Sequence, residues 1–127
     1  MLLFMCACSN PQKLAEDPAR TKIYFGHTGG FTNQEMKYLL VDNGALLKIT
    51  PDGNGKAGKL SRDALKQIRD KFNTIGFESL VVNEPGNITY FIRIEKPGAV
   101  HEVKWSDASA RPDLKELYDK LTDTLNP

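Results

Sequence analysis

The chain has 127 residues, room for one domain with one hydrophobic core and not for a cofactor-binding domain beside it. Lys and Arg total 17 against 16 for Asp and Glu, and the charges are interspersed, as in Lys66, Arg69, Asp70 and Lys71. No net field draws such a chain to nucleic acid or to anionic lipid, so a nucleic-acid role is disfavoured. Both cysteines, Cys6 and Cys8, fall in the first eight residues. A disulfide scaffold, a cysteine nucleophile and a Cys-rich zinc site are thereby excluded from the rest of the chain.

Met1 to Ala7 (MLLFMCA) is apolar, and the chain turns polar from Cys8 through Lys13. An apolar run ending in a small residue is the shape of a secretory h-region before its cleavage point. Ala7 gives Cys8 the small neighbour that a signal peptidase requires, whereas Cys6 follows the bulky Met5. Residues 1–8 thus resemble a bacterial lipobox, and the resemblance makes Cys8 the residue that receives a diacylglycerol anchor. Met5 stands where Leu is usual and no basic n-region precedes the apolar run; a translation start upstream of Met1 accounts for the missing n-region. The competing reading, a buried first strand of a cytosolic protein, leaves the polar, Pro-containing tail unexplained. In the lipoproteins this segment resembles, Asp after the cysteine favours inner-membrane retention, so the resemblance with Ser9 in that place implies the outer membrane over the inner one. Residues 9–20 carry Pro11, Pro18 and alternating charges without apolar periodicity, and read as a flexible tether to a single domain over 21–127.

Thr21 to Phe25 is rich in β-forming residues and is followed by Gly26-His27-Thr28-Gly29-Gly30-Phe31-Thr32, read as a loop. Glu35 to Asp42 alternates, with Met36, Tyr38 and Leu40 on one side. Asp42-Asn43-Gly44 and the strand Ala45–Ile49 complete the pattern of a β-hairpin. Pro51 to Lys59 has three glycines and no apolar residue larger than alanine, and reads as an exposed loop. Ser61 is a helix N-cap, Asp63 follows in the first turn, and Leu60 and Leu65 have hydrophobic-staple spacing. Ala64, Leu65, Ile68 and Phe72 repeat at helical spacing up to a stop at Gly76. Phe77 to Val82 is apolar and reads as a segment under the sheet. Ile88–Glu95 and Ala99–Ser106 form a second hairpin across Lys96-Pro97-Gly98, with Tyr90, Ile92 and Ile94 on one face and Val103 and Trp105 matching them. Pro112 suits the first turn of a last helix whose stripe is Leu114, Leu117, Tyr118, Leu121 and Leu125. The expected fold is α+β, an antiparallel sheet in the order β-β-β-α-β-β-α with two helices packed on one face.

Candidate chemistry is sparse. The run Gly26 to Thr32 offers consecutive N–H groups for an anion-binding nest, or merely glycines that permit close backbone approach. It is no P-loop, since neither Lys-Ser/Thr nor a helix follows. His27 and His101 lack metal-ligand spacing, so no metal site and no cofactor are expected. No Ser has a nucleophile frame and no acid/base pair can be picked out. Tyr24 and Phe91 fall out of phase with the most apolar faces of their strands, which makes them patch residues on the open face of the sheet.

With the first strand, the Gly29-Gly30-Phe31-Thr32 turn, the Val41-Asp42-Asn43-Gly44 hairpin and the Leu60-Ser61 helix start in place, residues from about Lys22 onward resemble small Bacteroidetes-type envelope lipoproteins. More distantly the domain is similar to emfourin-type inhibitors of thermolysin-like metalloproteases, which carry a comparable Gly-Gly turn. The resemblance implies a lipid-anchored, non-enzymatic envelope domain that binds a protein or ligand through its sheet face and the Gly26–Thr32 segment, with protease inhibition as a sharper form. The alternatives are an assembly subunit of an envelope complex and, less favoured, a small hydrolase using His27 or His101.

Overall fold

A computed structural model describes residues 11–30 and 35–125. The lipobox-like segment with Cys8, and Phe31 and Thr32 of the glycine run, lie outside the described residues. The elements are α1 (Pro11–Glu16), β1 (Lys22–Gly29), β2 (Met36–Val41), β3 (Ala45–Thr50), β4 (Gly53–Lys59), α2 (Arg62–Ile75), β5 (Ile88–Lys96), β6 (Ala99–Ser106) and α3 (Pro112–Asp123), with a short 3-10 turn at Phe77–Ser79. The six strands form one open sheet in the order β4-β3-β2-β1-β5-β6, and every neighbouring pair is antiparallel. The molecule is therefore α+β with an antiparallel sheet and three helices.

Two expectations are corrected. Residues 53–59 are a strand, not a loop: they pair with β3 through a register shift between Leu46 and Leu47. A Gly-rich edge strand pairs by its backbone and needs no buried side chains, so hydropathy carries no trace of it. The stretch read as a flexible tether is helical over Pro11–Glu16, with Leu14 buried against Leu39, Val41 and Leu47. Six residues with one buried position are too few to display a helical period.

Strand alternation sorts the sheet into two faces. Ile23, Phe25, Leu40, Leu46, Ile92 and Val103 share one hydrophobic cluster with Ile68 and Phe72 of α2 and Leu114, Leu117 and Leu121 of α3. Their sequence neighbours Leu39, Val41 and Leu47 point the other way, to the α1 side. α2 starts where expected: the Ser61 Oγ accepts from the Ala64 N–H at 3.2 Å. It stops at Gly76, whose N–H donates to the Asn73 carbonyl at 3.1 Å from a left-handed conformation with φ 64°. The 77–82 segment is only partly interior. Phe77 and Val82 are buried, but Val81 is 95% exposed because the chain leaves the core to run beside β6. There the Lys104 N–H donates to the Val82 carbonyl and the Glu84 N–H to the Lys104 carbonyl.

Candidate functional site

The glycine segment is built differently from its sequence reading. Gly26, His27, Thr28 and Gly29 belong to β1 and are paired with β5, and Gly26 and His27 also with β2. A Cβ on Gly26 would collide with the Met36 carbonyl oxygen, and one on Gly29 with the Asn87 carbonyl oxygen. These glycines let the central strand lie tight against both neighbours. The Gly30 N–H is likewise spent on the Asn87 carbonyl, at 3.1 Å. Strand pairing thus consumes N–H groups that an anion nest would need.

The two patch residues separate. Phe91 sits opposite Gly26 on β1 and Lys104 on β6, and it is only 7% exposed, so it is no accessible patch residue. Tyr24 is half-buried, with the Lys37 ammonium 5.0 Å from its ring centroid. Burial, and then the nearby Glu95 carboxylate, push its phenol above the ordinary value, with Arg93 opposing.

The histidines are apart and differently employed. His27 packs edge-on against Tyr90, with its Nδ1 buried and without a hydrogen-bond partner among the described residues. His101 contacts the Leu80 carbonyl at 2.8 Å through Nε2, which must carry the proton because a carbonyl only accepts. Its ring also stands edge-on to Phe77. β5 lies between their strands, and among the described residues no three potential metal ligands gather. Beyond His27, Tyr90 stacks on Trp105 and meets Tyr118 edge-on. Burial, followed by Tyr90, raises the Tyr118 phenol far above its usual range.

The hollow best shaped for a ligand lies elsewhere, between α2, the 3-10 turn and the sheet end where β1 begins. It has a volume of about 390 Å³ and apolar walls made by Ile23, Leu40, Ile68, Phe72, Phe77 and Ile94. Its rim carries Thr21, Asp42, Leu65, Arg69, Glu78 and Lys96. Lys96 is paired with Glu78 at 2.7 Å. Asp42 accepts from the Arg20 Nη1 and from the Thr21 N–H, each at 3.0 Å. Arg69 is the rim charge with no ion pair or hydrogen bond among the described residues. Two other hollows are less suited to a small amphipathic molecule. One, between α2 and α3, is lined by polar and charged side chains such as Lys71 and Glu116. The other borders Trp105 and Tyr118, where Arg111 and Lys115 are already paired with Asp113 and Asp119.

None of these rim residues stands out in the sequence. They come from the residue before β1, the β2–β3 turn, α2, the 3-10 turn and β5, and only the fold brings them together. Compared with models of protein families and with curated proteins, the sequence matches none.

Proposed function

We propose that the chain is a lipid-anchored, non-enzymatic binding domain of the bacterial envelope, with the α2 pocket as its binding site. The observation that carries this reading is the pocket itself: apolar walls, a mouth open to solvent, and a rim with one unspent cation. Pockets of about 300–1,000 Å³ with apolar linings and a few polar groups are the usual form of small-molecule sites. In this reading α2 and α3 cover one face of the sheet, and Cys8 ties the domain to the membrane, on the outer membrane in preference to the inner one.

Native mass spectrometry of the chain released from bacterial envelopes tests the binding site. A bound small molecule is expected on the wild type and should be lost in Leu65→Trp, which fills the half-buried rim without replacing a fully buried side chain. A wild-type spectrum without any adduct refutes the pocket reading. The anchor is tested separately by acyl labelling, which Cys8→Ala should abolish.

A second reading, attachment to a protein partner, is favoured by Val81 and by Val100, which is 58% exposed on β6. Apolar side chains left this open to water gain by being covered when a partner docks. Its forms are an envelope assembly subunit or a metalloprotease inhibitor. Crosslinking in intact envelopes checks the first, where a partner at fixed stoichiometry is expected. Full activity of a metalloprotease panel under excess chain removes the second.

A further inference from the structure

The pocket has a composition that selects among ligands. We infer that it takes a single-chain amphipathic carboxylate, with the acyl chain between α2 and the sheet and the carboxylate on Arg69; this rests on the pocket reading above. Three observations lead there. The walls present no charged group, so the buried part of the ligand is hydrocarbon. At about 30 Å³ per water-sized group, 390 Å³ holds roughly a dozen heavy atoms, the size of a medium-chain fatty acid.

The rim charges then set the head group. Asp42 and Lys96 are neutralised by Arg20 and Glu78, which leaves one positive charge from Arg69. A guanidinium is planar and presents paired N–H donors that match a carboxylate. A monoanion is balanced by that single cation, whereas a phosphate dianion would carry excess charge past Asp42 and Glu78. A neutral head group would leave Arg69 unused. The carbonyls of the last α2 turn, which would repel an anion, are partly occupied, since the Gly76 N–H donates to Asn73 and Phe72.

The test uses the full chain carrying Cys8→Ser, so that no lipid is attached, titrated calorimetrically with decanoate and with decanol. Decanoate should bind the wild type, and Arg69→Gln should weaken it at least about tenfold, the loss of one charge-assisted contact. Decanol should bind the wild type and Arg69→Gln alike, and Leu65→Trp should abolish both. Arg69 is exposed and without partners among the described residues, so its replacement leaves the fold intact, which circular dichroism checks. Equal decanoate affinity for wild type and Arg69→Gln overturns carboxylate recognition; persisting decanol binding would then leave the pocket itself standing. Failure of both probes overturns the ligand class, and the native spectra of envelope-derived protein decide separately whether the pocket binds anything.

Discussion

Leu14→Ala tests the docking of α1, the element least expected from the sequence. Leu14 is buried against Leu39, Val41 and Leu47, and a helix of six residues has no stability of its own in water. Truncation removes three carbons, worth about 0.8 kcal/mol each, or roughly 2 kcal/mol after allowing for a partly compact unfolded chain. No cavity penalty is added, because an edge helix can detach instead of leaving a void. That energy raises the undocked population about thirtyfold, at 1.4 kcal/mol per decade. Limited trypsinolysis reads it directly, since cleavage follows the open population when reclosing is fast. Cutting at Lys13 and Arg20 should accelerate by more than about tenfold, with the main thermal transition little changed. Leu14→Met, which keeps the volume, should behave as wild type. Equal cleavage of wild type and Leu14→Ala refutes the docking; uniform cleavage throughout the chain refutes its independence from the rest of the fold.

The glycine run and the buried tyrosine give two further predictions. Gly26→Ala drives a Cβ into the Met36 carbonyl and should cost about 3 kcal/mol or more, lowering Tm by about 12 °C or more in a domain of this size. Gly30→Ala, where the nearest atom is Ile88 Cγ1 at 3.8 Å, should cost only about 1 kcal/mol for its positive φ. If Gly26→Ala melts with wild type, the close approach of β1 and β2 is wrong. Tyr118 has a folded pKa above its unfolded value of about 10, so the native state holds its proton longer than the unfolded chain. Its contribution is complete below about pH 10 and is lost as pH rises further, because stability falls wherever the native state binds more protons. Tyr118→Phe should leave neutral stability nearly unchanged and flatten the alkaline decline in a Tm series; an unchanged decline would refute the assignment.

Strong local signals carried most of the fold. The Asn43-Gly44 hairpin, the Ser61 cap with the Gly76 stop, and the Pro112 start of α3 are set within a few residues, and each lies where its signal put it. Elements held by distant partners left no such trace. β4 exists because β3 offers an unpaired edge, and α1 because Leu39, Val41 and Leu47 need a cover. The alternation that grouped Ile92 and Ile94 with Val103 and Trp105 was legible; that Phe91, out of phase with them, is also buried was not. β5 lies inside the sheet between β1 and β6, a position that strand order alone decides. The pocket is further still from the sequence, since Arg69 reads as one more charge on a solvated helix face. Only the absence of a partner among the described residues, beside walls drawn from five segments, distinguishes it.

The same geometry ties the pocket to the N-terminal segment. Arg20, which follows α1, neutralises Asp42, and Asp42 stands on the pocket rim. In Arg20→Gln the Asp42 carboxylate keeps its Thr21 N–H but loses its counter-ion, and so faces a bound carboxylate as an unbalanced like charge. Both side chains are about a third exposed, so the penalty is that of a screened surface pair, up to about 1 kcal/mol or roughly fivefold in affinity. Decanoate binding should weaken by about that factor at low ionic strength, and the deficit should shrink as salt is added. Decanol binding should not change, and Asp42→Asn in the Arg20→Gln background should restore decanoate. A parallel loss of decanol affinity would show that Arg20 shapes the pocket instead of balancing its charge, and the electrostatic link between the segment after α1 and the pocket would fall.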